Sequence, residues 1–160
     1  MRLKGRIALV TGGARGIGLA IARAFHREGA VPVLADVNEE GAREALDGLG
    51  AAEGMAARVD VADQASVLAL IEAIEARYGR LDILVNNAGI GGNTPFLDIT
   101  AEVWNRTIAI NLTGAFFVAQ AAARVMAKQR SGKIVNIASL SGQRGGHGRA
   151  AYGAAKAGLE

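Results

Sequence analysis

The chain contains no cysteine, which excludes a disulfide framework and a thiolate metal centre. Its two histidines, His26 and His147, are too few to build a metal site by themselves. No long hydrophobic run opens the chain: the basic start leads into an apolar stretch at 7 to 10, too short for a signal peptide and far too short for a membrane span. A basic stripe is missing as well. The net charge is +3, but lysines and arginines are dispersed among acids, which argues for a solvated surface and against a nucleic-acid partner. Aromatic residues are few, the glycines form no repeat, and no linker divides the sequence. One globular domain over residues 1–160 is therefore expected, with no membrane partner and a cytoplasmic location.

What is present is alternation. Apolar runs bounded by glycine or acidic residues occur at 7 to 13, 31 to 36, 55 to 60, 81 to 87 and 133 to 139, and read as five strands. Most are apolar at successive positions, as strands covered on both faces require. Helical patterns lie between them. Val67, Leu70, Ile71, Ile74 and Tyr78 form one stripe, with Asp63 placed to cap the helix and Gly79 to end it. A longer pattern runs through Ile108, Leu112, Ala115, Phe116, Ala119, Ala123 and Met126. Strict strand, helix, strand order predicts a doubly wound parallel α/β sheet with right-handed crossovers.

The first strand runs into "TGGARGIG", with Gly12, Gly16 and Gly18 before a helical pattern that starts near Ile17. Residues without a Cβ allow a sharp turn and close approach of backbone to a pyrophosphate. The helix start aims free N–H groups and its positive dipole end at that anion. The spacing departs from the literal G-x-G-x-x-G string. Asp36 closes the second strand 18 residues after Gly18, close to where an acid accepts the hydroxyls of an adenosine ribose, although it could instead cap the next helix. An acid there repels a 2′-phosphate and favours NAD; Arg15, in the glycine loop, could bind that phosphate and favours NADP. A short side chain at a strand end is held more firmly than a loop arginine, so NAD is expected over NADP.

Near the end of the chain, in "AAYGAAKAGLE", Tyr152 and Lys156 stand four residues apart, on one face of a helix. A free phenol, with a pKa near 10, exchanges protons poorly at neutral pH. A cation about 4 Å away stabilises a phenolate by up to about 4 kcal/mol at an effective dielectric of 20. Read without context, the pair is more simply a surface tyrosine above an exposed lysine.

Taken together, "TGGARGIG", "NNAG" at 86 to 89, Asn111, Ser139 and "YGAAK" resemble the short-chain dehydrogenase/reductase family, from Arg6 to the last residue. The resemblance implies a Rossmann-like, three-layer αβα fold. It implies an NAD(P)-dependent oxidoreductase moving a hydride between nicotinamide and a small ketone or secondary alcohol. Tyr152 would be the acid/base, Ser139 would polarise the substrate oxygen, and Lys156 would make the phenol more acidic and bond the nicotinamide ribose. Asn111, an amide in an apolar helical pattern that could also satisfy a kinked backbone, would hold a proton-relay water. Asp60 and Val61 match positions that seat adenine, and Asn87, with Gly89 in the same motif, matches one that supports the cofactor. Ser139 could also simply end a strand, with Ser141 a nearby hydroxyl; its 13-residue step to Tyr152 is similar to the family's spacing. Members continue past the tyrosine helix into further strands and helices and form dimers or tetramers. This sequence is expected to be truncated after the fifth strand and the start of that helix, leaving an apolar strand edge unpaired. The other reading is a truncated, non-catalytic NAD(P)-binding or dimerisation module.

Overall fold

The computed structural model describes residues 1–160. Five parallel strands form one sheet in the order β3-β2-β1-β4-β5: β1 Ile7–Thr11, β2 Val31–Asp36, β3 Met55–Arg58, β4 Ile83–Asn86 and β5 Lys133–Asn136. β1 is buried along its whole length, because it pairs with β2 on one side and β4 on the other and is covered on both faces. Its alternate residues divide between two cores. Leu9 joins Val33 and Leu84 on one face, and Ala8 and Val10 join Leu34 and Val85 on the other. The chain moves outward through β2 and β3, then returns to the far side of β1 for β4 and β5. The crevice at that reversal, beyond the carboxyl ends of the strands, is where such sheets bind ligands.

Helices α1, Gly16–Arg27, and α2, Glu39–Leu49, cover the second core through Ala22, Ala42 and Leu46. Helix α3, Gln64–Tyr78, covers the first through Val67, Leu70, Ile71 and Ile74. The end signals of α3 act as the sequence indicates: Asp63 accepts from the Ala65 N–H at 2.9 Å, and Gly79 ends the helix in the left-handed conformation.

A long helix follows, built as α4 Ala101–Ile108, a π-helical turn Ala109–Thr113, and α5 Gly114–Lys128. By length and composition it could cross a membrane, but Ala115, Val118, Ala121, Ala122, Val125 and Met126 are buried in the molecule. Its inward face corrects the expected stripe. Of the expected stripe, Ala115 and Met126 are buried, but Phe116 is 56% exposed and Ala123 is exposed, while Val118, Ala122 and Val125 take the inward positions. A Cβ on Gly114 would come within 2.8 Å of the Val61 carbonyl, so at its first turn this face meets the chain past β3 with no room for a side chain.

Past β5 the chain forms α6, Leu140–Gln143, and α7, Ala150–Leu159. These two backbones touch. A Cβ on Gly142 would lie 2.8 Å from the Ala157 nitrogen, and one on Gly153 2.8 Å from the Ser141 carbonyl. All four residues of β5 are exposed, and its outer edge has no partner strand.

Candidate active site

At the sheet's reversal lies a cleft of about 630 Å³. Gly12, Arg15, Ile17, Asp36, Asp60, Val61, Asn87 and Gly89 all line it. Gly16 and Gly18 do not line it but shape it. Gly16 adopts φ +58 with open space where a Cβ would project. Gly18 packs so tightly under the turn that a Cβ would fall 2.2 Å from the Gly12 carbonyl oxygen. Helix α1 differs from α2, α3 and α4, whose first turns are capped by Asn38, Asp63 and Thr100: its N-cap, Arg15, makes no side-chain cap bond. Its leading N–H groups are left for an anion.

The turn is anchored from both sides. The Ala14 N–H donates to Asp36 Oδ2 and the Asn38 N–H to Asp36 Oδ1, each at 3.1 Å. Asp36 thus ties the glycine turn to the end of β2, while the capping of α2 falls to Asn38, which accepts from the Gly41 N–H. Across the sheet, Asn87 Nδ2 donates to the carbonyls of Thr11 and Gly12. Thr11 Oγ1 in turn accepts from the N–H groups of Asn87 and Ala88, both at 3.1 Å. Thr11 is buried and escaped the sequence reading, although a hydroxyl closing an otherwise apolar strand was a usable signal. Asp60 Oδ1 accepts from the Ala62 N–H at 3.0 Å and so fixes the loop that carries Val61. Arg106, from α4, also lines the cleft and was not foreseen.

The other four expected residues sit beyond the cleft. Asn111 is 1% exposed. Its Nδ2 donates to Ile90 O and Thr107 O, both at 3.0 Å, so it joins the π-helical turn to the loop flooring the cleft. Its Oδ1 is buried without a partner, facing Gly89, where a Cβ would come within 2.6 Å. Lys156 is 4% exposed, and burial pushes its ammonium below the ordinary lysine pKa. Its Nζ donates to Ile137 O at 2.6 Å and lies 5.8 Å from the Tyr152 ring centroid. Arg149 approaches the same ring, its guanidinium carbon 5.5 Å from the centroid. Ser139 begins α6, with its Oγ accepting from the Ser141 N–H at 3.2 Å. No hydrogen bond within the chain joins Tyr152 to Ser139 or Lys156 to Asn111.

A parallel sheet with helices on both faces, a glycine turn at its reversal and an uncapped helix start define a Rossmann-like α/β protein of the nucleotide-binding kind. The chain belongs to the short-chain dehydrogenase family, whose family model matches residues 6–160. It is 48% identical over 146 residues to a sorbitol dehydrogenase from Cereibacter sphaeroides, covering 91% of this chain and 57% of that relative. To the 3-oxoacyl-acyl-carrier-protein reductase of Escherichia coli (strain K12) it is 43% identical over 159 residues, covering 99% of this chain and 65% of the reductase. A crystal structure of a short chain dehydrogenase from Mycobacterium smegmatis superposes with a TM-score of 0.92 at 40% identity, over 99% of this chain and 68% of that one. The chain therefore spans somewhat under two thirds of the length of those two curated relatives.

Proposed function

We propose that this chain carries the nucleotide-binding and acid/base parts of an NAD(P)-dependent oxidoreductase that interconverts a small ketone and its secondary alcohol. The observation that supports this best is the seating of Lys156: a buried ammonium, fixed to a backbone carbonyl beside the ring of Tyr152. Lysine ammonium groups are rarely buried, and a desolvated one beside a titratable ring marks a candidate functional site.

The glycine turn, the free start of α1 and the carboxylate of Asp36 suit a dinucleotide's pyrophosphate and adenosine ribose, and Asp60 and Val61 suit its adenine. Bound there, the nicotinamide would supply a hydride to the substrate carbon or take one from it. Tyr152 Oη gives its proton to the carbonyl oxygen as that oxygen gains the π electron pair, and recovers a proton when the alcohol is oxidised. Ser139 Oγ donates to the same oxygen. Lys156 keeps positive charge beside the phenol, and Asn111 holds a water linking that lysine to solvent. Asp36 disfavours a 2′-phosphate, so NAD is the preferred form over NADP.

Fluorescence titration with NADH and NADPH tests the binding half, with NADH expected to bind more tightly. Loss of the near-ultraviolet absorbance of NADH with a panel of ketones tests the chemistry. A second reading, a non-catalytic dinucleotide-binding or dimerisation module, draws on the exposed outer edge of β5; binding without turnover would favour it. Failure to bind either dinucleotide would refute both.

A further inference from the structure

Arg149 is a charged group with no assigned task. It precedes α7 and is partly buried. Its stem packs where a Cβ on Gly146 would stand 3.3 Å away, and one guanidinium nitrogen reaches to 3.9 Å from the Cβ position of Gly91. The guanidinium carbon lies 5.5 Å from the Tyr152 ring centroid. No carboxylate pairs with it. Its side chain donates no hydrogen bond within the protein. An arginine carries a fork of N–H donors suited to bidentate carboxylate or phosphate binding, and this one faces the acid/base residue with that fork unused.

The loop around it shares its sign. No aspartate or glutamate occurs from residue 137 to residue 159, a stretch that holds Arg144, Arg149 and Lys156. The facing segment, 83 to 97, is also without acids. It is held against the arginine's loop by the Thr94 N–H, which donates to the Gly148 carbonyl at 3.0 Å. A recess of about 20 Å³, lined by Ile99, Val103, Ala151 and Tyr152 among others, adjoins them; it has room for a methyl-sized group. The loop that carries Arg149 and the segment facing it are thus without acids, while Asp98 and Glu102 flank Ile99 and Val103 on the other side of the recess.

We infer that Arg149 is a substrate-binding residue that pairs with an anionic group a few bonds from the reacting carbonyl, so that the substrates are short oxo acids and the corresponding hydroxy acids. This rests on the proposed carbonyl/alcohol chemistry at Tyr152. The carboxylate lies on the guanidinium fork, the carbonyl oxygen on the Tyr152 hydroxyl, and a small alkyl group in the recess.

The test compares 2-oxobutanoate and acetoacetate with their methyl esters, and with dihydroxyacetone phosphate as the phosphate arm. Binding is read by ligand-observed NMR in the presence of NADH, and turnover by NADH absorbance. The wild-type chain should bind at least one anionic ligand about tenfold or more tightly than the uncharged esters. Arg149→Gln should remove that preference and leave ester binding unchanged, and Arg149→Lys should keep part of it. Preference for the phosphate arm alone would keep Arg149 as the anion site and overturn the oxo-acid class. Equal binding of acid and ester by the wild type, or parallel weakening of both in Arg149→Gln, would overturn the inference. Anion binding that depends on Arg149 in a chain that never oxidises NADH would sink the proposed chemistry and leave the anion site standing.

Discussion

Lys156 Nζ donates to the carbonyl of Ile137 at 2.6 Å. That bond fixes the ammonium of α7 to the chain just past β5, two residues before Ser139, and so sets the tyrosine helix against the start of α6. Position is gained at an electrostatic cost, since burial favours the neutral amine.

Lys156→Met should therefore fold at least as stably as the parent at neutral pH, within about 1 kcal/mol or better, while losing turnover. The sign of the pH dependence follows from the lowered pKa. The folded chain releases this proton at lower pH than the unfolded chain does, so the cost of the buried charge is present at neutral pH. It is relieved as pH rises from the folded value towards the ordinary lysine value. Urea unfolding of parent and variant across the alkaline range should show the parent gaining stability relative to Lys156→Met.

Gly18→Ala would place a Cβ 2.2 Å from the Gly12 carbonyl oxygen. Backbone must move, at a cost of about 1–3 kcal/mol, and the glycine turn moves with it. The expected result is a lower melting temperature together with NADH affinity reduced about tenfold or more. An unchanged titration would mean that the turn does not hold the dinucleotide.

Asp36→Ala removes the carboxylate that accepts from Ala14 and Asn38. NADPH should gain on NADH by about tenfold, since one charge repulsion near 1.4 kcal/mol is lost while Arg15 remains. Parallel titrations with both dinucleotides check this. An unaltered ratio would show that Asp36 only braces the turn.

Asp82 stands at the opposite end of the sheet from the cleft and is 4% exposed. It accepts from the Ile7 N–H and from Arg6 and Arg80. Burial alone would raise its pKa, but the bonds from Arg80, Ile7 and Arg6 hold it below the usual carboxylate range. Its contribution is therefore full above the unfolded carboxylate value and lost as pH falls through the lower folded value. Asp82→Asn should destabilise by about 1–3 kcal/mol near neutral pH, with the gap to the parent closing in strong acid.

Much of this is legible in the sequence. The five strands, the Asp63 cap, the Gly79 stop and the glycine turn announce themselves locally, through runs of apolar residues and residue types with few conformational alternatives. The inward face of α5 does not. Apolar residues occur all round that helix, so its periodicity does not say which side faces inward; the close approach of Gly114 to Val61 marks the inward side, with Val118 buried and Phe116 exposed. Thr11, Asn86 and Asp82 were missed because their partners are distant in sequence: Asn86 Nδ2, for example, donates to Ala115 O and Asn136 Oδ1. Most of the residues expected to hold a dinucleotide share one cleft because their motifs mark loop ends that meet along it. Arg149 lies in a loop and shows its place only once its guanidinium is seen beside Tyr152.

The most direct test of the proposed chemistry is a paired measurement on Tyr152→Phe: NADH affinity by fluorescence, and NADH consumption with a ketone that the parent reduces. The account predicts affinity within about twofold of the parent and a rate reduced by a factor of about 100 or more. Retention of more than about a tenth of the parent rate would contradict it.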